Sequence, residues 1–191
     1  MTHGLSIEND QKAANVQLSA KEPQKHTIVL VGIMGAGKSS VGRRLAQELE
    51  IPFHDSDDEI EKAASMTIPE IFETHGEEEF RRVEARVIER LLEEPRMVLA
   101  TGGGAYMNEA TRALMQKHAV TVWLKADLET LWRRVNKKGG RPLLKKENPK
   151  KVLSDLLDQR EPVYALADYE VVSEDGPHKQ TVDAIRAALN I

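Results

Sequence analysis

Residues 32–39 constrain the fold of this 191-residue chain more than any other segment. They read Gly-Ile-Met-Gly-Ala-Gly-Lys-Ser and match the pattern GxxxxGK[ST], a loop that cradles phosphate groups. The run before them, residues 27–31, is apolar and β-branched, as in a strand buried on both faces. Residues 39–50 then carry apolar side chains at helical spacing. A buried strand, this loop and a helix in succession predict a nucleotide site, where backbone N–H groups and the helix N-terminus face the phosphates.

Strands and helices alternate along the rest of the chain. Short apolar runs predict further strands at residues 52–54, 97–100, 119–124 and 169–172. Helical spacing predicts a helix capped by Ser56 or Asp57 and running through Ile60, and further helices at 68–73, after Gly76, and at 109–116, 127–135, 152–159 and 181–189. This alternation predicts an α/β fold with three layers, in which a five-stranded parallel sheet carries helices on both faces.

Residues 26–191 are expected to form a single domain, because no interdomain linker follows residue 26. Residues 1–25 are expected to be a disordered N-terminal arm, because their apolar residues are scattered. The arm has no apolar core after a basic start, which disfavours a secretory signal. It contains Glu8 and Asp10 and no Arg, which disfavours a mitochondrial transit peptide.

Composition narrows the possible partners and the compartment. The 27 Lys and Arg against 31 Asp and Glu give a net charge of −4, which argues against an overall attraction to nucleic acid or to anionic lipid. Cys is absent, which excludes disulfides and thiolate chemistry and fits a reducing cytosol. The longest stretches without charge, 26–37 and 97–108, have 12 residues each, too few to span a bilayer as a helix. We therefore expect a cytoplasmic protein with no nucleic-acid or membrane partner.

The loop pattern assigns two of its residues to the phosphates. Lys38 can reach the β- and γ-phosphates, and the Ser39 hydroxyl can bind Mg²⁺. The strand predicted at 97–100 ends in Thr101 and not in Asp, so Asp55 after the second strand is the candidate for the second magnesium ligand. A GTPase is disfavoured, because residues 136–139 lack the Asp of the guanine-reading NKxD pattern.

Four further clusters are expected at the carboxyl ends of the strands, where open α/β sheets bind ligands. They are Asp55 with Asp57, Arg81 with Glu84, the triplet Gly102-Gly103-Gly104, and Arg160. Each cluster has a purely structural alternative. Asp57 can be a helix cap, Arg81 and Glu84 a surface pair at i,i+3, the glycines a tight turn, and Arg160 a charge at a helix C-terminus.

A basic segment lies between the helices predicted at 127–135 and 152–159. Residues 134–151 hold eight Lys or Arg against Glu147 alone, a net charge of +7, and Gly139-Gly140 gives the segment hinge freedom. We predict a mobile lid over the phosphates at about 137–151. A solvated loop or a weak nucleic-acid contact is the alternative, although no aromatic residue is present there for base stacking.

These motifs together resemble those of shikimate kinases in order and spacing. They are the phosphate loop at 32–39, Asp55-Ser56-Asp57, Phe80-Arg81-Arg82-x-Glu84, Gly102-Gly103-Gly104, Arg141-Pro142-Leu143-Leu144 and Arg160-x-Pro162-x-Tyr164. The resemblance covers about residues 27–189 and implies a P-loop kinase fold. It implies a monomeric enzyme that uses ATP and Mg²⁺ to phosphorylate the 3-hydroxyl of shikimate in chorismate and aromatic amino acid biosynthesis.

The resemblance also implies roles for individual residues on the nucleotide side. ATP would be bound by Gly35, Ala36, Gly37, Lys38, Ser39, Ser40, Arg134 and Arg141. Of these, Arg134 matches an arginine that stacks near adenine, and Arg141 matches a lid arginine that reaches the phosphates. Ser39 and Asp55 would hold Mg²⁺. The family has a further adenine contact within residues 173–180, which the pattern here is too weak to place.

On the acceptor side, Asp57 matches a residue that contacts the hydroxyl to be phosphorylated. Arg81 and Arg160 match the arginines that bind the shikimate carboxylate, and a guanidinium fork suits that planar group. Glu84 matches a carboxylate that orients Arg81 and the ring hydroxyls. The glycine triplet lines the same pocket, with Gly103 as a backbone donor. Lys38, Asp57 and Arg141 are thus the implied catalytic residues.

Two alternatives remain open at the level of sequence. One is a P-loop kinase of another small acceptor, such as gluconate or a nucleoside monophosphate. The other is a nucleotide-binding regulatory module without catalysis, against which Lys38, Ser39, Asp57 and Arg141 argue.

Overall fold

The computed structural model describes residues 26–138 and 147–191, and of Lys138 the backbone alone. Its strands are β1 Thr27–Val31, β2 Phe53–Asp55, β3 Val98–Ala100, β4 Ala119–Lys125 and β5 Tyr169–Val172. Its α-helices are α1 Lys38–Leu49, α2 Ser56–Ala64, α3 Ile68–Glu93, α4 Glu109–His118, α5 Leu128–Lys138, α6 Pro149–Tyr164 and α7 His178–Leu189. The arm predicted for residues 1–25 and the centre of the predicted lid, with Arg141, lie outside the described residues.

The five strands form one parallel sheet in the order β2-β3-β1-β4-β5, which confirms the predicted α/β fold. All five residues of β1 are buried, because β1 pairs with β3 on one side and β4 on the other. The chain continues from β1 to β2 past β3, so the strand order reverses around β1. A crevice that can bind a ligand opens at the carboxyl ends of the strands at such a point. The phosphate loop lies there, directly between β1 and α1.

Helices cover the sheet. Helix α1 packs against α7 and the strands β1 to β3, while α4 packs against β4 and against α3. Helices α2 and α3 pack against each other beside β2 and carry Asp57, Arg81 and Glu84. Among the described residues, no helix is both long enough and apolar enough to cross a membrane.

The start of α2 corrects a prediction. The cap is Asp55 and neither Ser56 nor Asp57, because β2 passes into α2 without a loop. Asp55 keeps an extended backbone, and its Oδ1 accepts a hydrogen bond from the Asp57 N–H at 3.1 Å. Asp57 therefore stands in the first turn of α2, and capping does not explain its side chain.

Three helices differ from the predicted boundaries. The two helices predicted around Gly76 form one segment, α3, with a kink at Gly76, whose φ of 79° and ψ of 175° only glycine adopts readily. Asn148 caps α6 and accepts from the Lys151 N–H, so α6 starts before residue 152 and continues past 159 to Tyr164. Helix α7 starts at His178, earlier than the predicted 181, after Pro177.

Candidate active site

The phosphate loop wraps around the side chain of its own lysine. Lys38 Nζ donates to the Gly32 carbonyl at 2.7 Å and to the Ile33 carbonyl at 3.0 Å. Gly37 has a φ of 95° and precedes the first turn of α1, a left-handed conformation that lets the loop turn into the helix. The loop thus places an ammonium group and a helix N-terminus at the end of β1, as the pattern predicted.

Two hard oxygen ligands meet beside Lys38. Ser39, in the first turn of α1, donates its hydroxyl to Asp55 Oδ2 at 2.6 Å. Mg²⁺ usually binds through one or two carboxylates together with phosphate oxygens and water, and a hydroxyl paired with a carboxylate at a phosphate loop fits that preference. The geometry accordingly suits the predicted assignment of Ser39 and Asp55 to Mg²⁺.

The carboxyl group of Asp57 titrates close to neutral pH. Burial, followed by repulsion from the Asp55 carboxylate, raises the pKa of Asp57 from 3.8 to about 6, while Lys38 partly opposes the shift and Glu84 adds to it. A carboxyl group with such a pKa is largely ionised at pH 7 and still accepts a proton readily. Its place between the phosphate loop and Glu84 suits a group that orients an acceptor hydroxyl.

Arg81, which is partly exposed, pairs with the buried carboxylate of Glu84, so a pair on a solvated helix face does not describe it. Glu84 is only 2% exposed, and Arg81 Nη1 donates to its Oε2 at 2.7 Å. Burial raises the pKa of Glu84, although the hydrogen bond from Arg81 opposes this. The other carboxylate oxygen, Oε1, has no hydrogen-bond partner within residues 26–138 and 147–191. A buried unpaired acceptor is costly, so this oxygen is available to a donor on a ligand.

The glycine triplet lies between these charged groups. A Cβ atom at Gly102 would stand 2.7 Å from Asp57 Oδ1 and 3.0 Å from Glu84 Oε1, so both carboxylates face the same backbone. A Cβ at Gly104 would stand 2.6 Å from the Arg81 guanidinium. A side chain at either position would push against residues that the family resemblance assigns to acceptor binding. A tight turn alone therefore does not explain the triplet.

Arg160 reaches the triplet from the other side. Its Nη1 donates to the Gly103 carbonyl at 3.2 Å, and the hydroxyl of Tyr164, one helical turn later, donates to the same oxygen. Arg160 is therefore turned inward from α6, and a role as a helix C-terminal charge does not account for it.

Two cavities meet at the triplet. The first, of about 340 Å³, is lined by Met34, Gly35, Gly37, Lys38, Ser39, Ser40, Asp55, Asp57, Thr101, Gly102, Gly103, Arg134, Lys137 and His178. The second, of about 430 Å³, is lined by Glu77, Arg81, Gly104, Met107, Asn108, Gln159, Arg160 and Val163. Six of the predicted nucleotide residues (Gly35, Gly37, Lys38, Ser39, Ser40 and Arg134) thus share one cavity, and the two arginines of the acceptor side share the next. Ala36 is buried beneath the loop, and Glu84 is buried beside the triplet.

Arg134 ties the phosphate loop to the segment after β5. Its Nη1 donates to the carbonyls of Gly35 and Ala36 and to Ser173 Oγ, and its Nη2 donates to the Glu174 carbonyl. Ser173 is 1% exposed and donates its hydroxyl to the Ala36 carbonyl at 2.9 Å. Burial lowers the pKa of Arg134. Arg134 lines the first cavity, and its stacking near adenine stays a prediction.

Sequence reasoning did not identify several residues of the first cavity. Thr101 and His178 line this cavity, and Ser173 bonds the phosphate loop through the Ala36 carbonyl, yet none was named as a site residue. Ser173 and His178 fall within 173–180, where a further adenine contact was expected but not placed. Ser173 had a usable signal, because it is a polar residue directly after a strand that ends at the loop's edge of the sheet. Thr101 follows β3 in the same way. His178 follows an irregular stretch, and its place in the cavity depends on packing that the sequence pattern does not show.

Comparison with known proteins agrees with this geometry. The sequence model of the family described as shikimate kinase matches residues 34–190. The shikimate kinase of Caulobacter vibrioides is 57% identical over 163 residues, covering 85% of this chain and 82% of that protein. The shikimate kinase of Rhizobium meliloti is 51% identical over 165 residues, covering 86% of each.

A solved structure supports the same assignment. The shikimate kinase of Acinetobacter baumannii, in complex with shikimate, superposes with a TM-score of 0.83 at 39% identity, covering 88% of this chain and 95% of that one. The chain therefore belongs to the shikimate kinase family.

Proposed function

We propose that the two cavities of this chain bind ATP and shikimate side by side, and that Asp57 directs the 3-hydroxyl of shikimate at the γ-phosphoryl group. The activity is that of the family, an ATP- and Mg²⁺-dependent transfer that yields shikimate 3-phosphate. The observation that carries the assignment is the position of Asp57, which lines the phosphate cavity and faces the same glycine backbone as Glu84, the partner of Arg81.

Arg81 and Arg160 orient the acceptor. Both guanidinium groups border the second cavity, and each lies against the backbone of the glycine triplet. A planar carboxylate accepts two parallel hydrogen bonds from a guanidinium, so an anionic acid is a suitable occupant. The Gly103 N–H adds a backbone donor, and Glu84 Oε1 accepts from a ring hydroxyl.

The nucleotide is positioned by the loop, and transfer then depends mostly on alignment and on charge. Lys38 exchanges its contacts with the Gly32 and Ile33 carbonyls for phosphate oxygens. Ser39 and Asp55 would hold Mg²⁺, which would supply positive charge to offset that of the phosphates. Asp57 accepts the hydroxyl proton or orients the hydroxyl, and its pKa near 6 serves both tasks.

The remaining parts of the proposal concern the chain as a whole. We propose a cytoplasmic monomer in which residues 26–191 form the catalytic domain and residues 1–25 an arm outside it. The segment at about 137–151 closes over the phosphates as a lid and delivers Arg141. The partner is a small molecule, and neither nucleic acid nor a membrane takes part.

The proposal is tested by ADP release with shikimate, gluconate and nucleoside monophosphates as acceptors, using the parent and Asp57→Asn. We expect turnover with shikimate, and a loss of about 10²- to 10⁴-fold in kcat for Asp57→Asn with ATP binding retained, because a positioned acid or base contributes on that scale. Asp58→Asn is the matched control, since Asp58 is the exposed neighbour and pairs only loosely with Arg43. Preferred turnover of another acceptor would refute the substrate, and near-parent turnover by Asp57→Asn would refute the role of Asp57.

A further inference from the structure

Tyr164 ends α6 inside the protein, directly behind the glycine triplet. Its side chain is fully buried, and its ring stacks on Trp123 with centroids 6.0 Å apart and planes 28° apart. Its hydroxyl donates to the Gly103 carbonyl. Burial raises the pKa of Tyr164 to about 12, so the hydroxyl keeps its proton and remains a donor at neutral pH.

The same carbonyl oxygen receives a second donor from the same helix face. Arg160 precedes Tyr164 by four residues, which places the two side chains one above the other on α6. Arg160 Nη1 lies 3.2 Å from the Gly103 oxygen, and its positive charge lowers the pKa of Tyr164 against the effect of burial. The carbonyl, the phenol and the guanidinium therefore form one local cluster.

The triplet depends on such anchors, because three successive glycines have no side chains to pack and lose much backbone entropy when ordered. At one end, the Gly102 N–H donates to Ser56 Oγ at 3.0 Å. At the other, the Gly104 carbonyl accepts from the Met107 N–H at 3.1 Å. The carbonyl of the middle glycine accepts from two side chains of α6, Tyr164 and Arg160.

We propose that Tyr164 is a positioning residue for the acceptor. It lies behind the triplet, holds the Gly103 carbonyl, and fixes the direction in which Arg160 points into the second cavity. Because Tyr164 holds the Gly103 carbonyl in place, the other N–H groups of Arg160 stay directed at the ligand. The inference rests on the proposed function in taking Arg160 as a clamp for an anionic acceptor.

The substitution Tyr164→Phe removes the hydroxyl and keeps the ring that stacks on Trp123. We expect the KM for shikimate to rise about 3- to 10-fold, the usual scale for one hydrogen bond, with kcat and the KM for ATP within twofold of the parent. Tyr106→Phe is the matched control, because Tyr106 is also fully buried and its hydroxyl accepts from Gln116 Nε2 at 3.3 Å, away from the triplet. We expect Tyr106→Phe to lower the Tm without changing the KM for shikimate.

A double-mutant cycle tests whether Tyr164 acts through Arg160. In an Arg160→Lys background, Tyr164→Phe should raise the KM for shikimate by a clearly smaller factor than in the parent, because the geometry it protects is already lost. Independent, multiplicative effects would overturn the inference. An equal rise in the KM for ATP and for shikimate would also overturn it, since that is the mark of a general loss of structure.

Hydrogen exchange supplies a readout that does not depend on turnover. The amides of residues 102–104 should exchange faster in Tyr164→Phe than in the parent and in Tyr106→Phe, because the triplet loses an anchor. Unchanged exchange would overturn the inference even in an active enzyme. If residues 102–104 exchange faster in Tyr164→Phe than in the parent, but the parent does not phosphorylate shikimate, the proposed function is refuted and the anchoring role of Tyr164 stands.

Discussion

Asp57 shows how a single position gains its function from what surrounds it. Sequence reasoning left a helix cap as one explanation for this side chain, and the structure assigns the cap to Asp55 two residues earlier. Burial, first of all, and then repulsion from Asp55, opposed by Lys38, bring the pKa of Asp57 to about 6. The pattern Asp-x-Asp after a short strand predicts the location of this group, whereas its pKa depends on burial and on Glu84 from α3, which no local pattern reveals.

The pH dependence of the reaction follows from this pKa. Asp57 acts in its ionised form, so kcat/KM for shikimate should be constant above about pH 7 and fall below about pH 6, approaching tenfold per unit. A profile of kcat/KM for the parent between pH 5 and 8 measures it. A flat profile through pH 6 would show that ionisation of Asp57 does not limit the reaction.

At the scale of elements, the helix α3 and the loop after β3 fit together through Gly104 and Arg81. Gly104 has a φ of −95°, which any residue adopts, so only the guanidinium 2.6 Å away excludes a side chain. Hydrophobic periodicity predicted α3 and its buried stripe. It could not predict this contact, because Arg81 and Gly104 are 23 positions apart in sequence and their separation in space is decided by packing.

The substitution Gly104→Ala should therefore displace Arg81 and weaken shikimate binding, with about a 10-fold rise in the KM for shikimate if one charge-assisted hydrogen bond is lost. The KM for ATP should stay unchanged. Gly176→Ala is the control, because a Cβ there also meets a side-chain atom at 2.6 Å, but this atom is the end of the exposed Gln180 side chain and can move. Equal effects of the two substitutions on the KM for shikimate would contradict this account of Arg81.

At the scale of the whole molecule, the sequence predicted the sheet far better than the contacts across it. The apolar runs of β1, β4 and β5 located these strands almost to the residue, and alternation with helices predicted the parallel sheet. The tie from Arg134 to Ser173 and Glu174 joins α5 to the segment after β5 across about 40 positions, so it has no signature in local periodicity. The acceptor side was predicted because its motifs resemble those of shikimate kinases. Tyr164 belonged to one of these motifs, but no role was predicted for it.

The concentration of carboxylates at the site should reduce the stability of the fold. The pKa of Asp57 is about 6 in the folded chain and near 3.8 when unfolded, so the folded state binds the proton more tightly and loses stability as pH rises from about 4 to 6. Asp57→Asn removes this cost. It should raise the free energy of unfolding by about 1–3 kcal/mol at pH 8 and by about half as much at pH 5. Thermal or urea unfolding at the two pH values measures the difference, and a variant that is less stable at pH 8 would contradict the electrostatic cause.

Asp55 divides its two carboxylate oxygens between neighbouring tasks. Oδ2 accepts from Ser39 at the end of the phosphate loop, and Oδ1 accepts from the N–H of Asp57 at the start of α2. The loop that faces the phosphates and the helix that carries Asp57 are thus linked through one planar carboxylate, and rotation of that plane moves both contacts at once. A substitution of Asp55 made to alter the proposed metal site would at the same time alter the alignment of Asp57, so the two properties have to be optimised together.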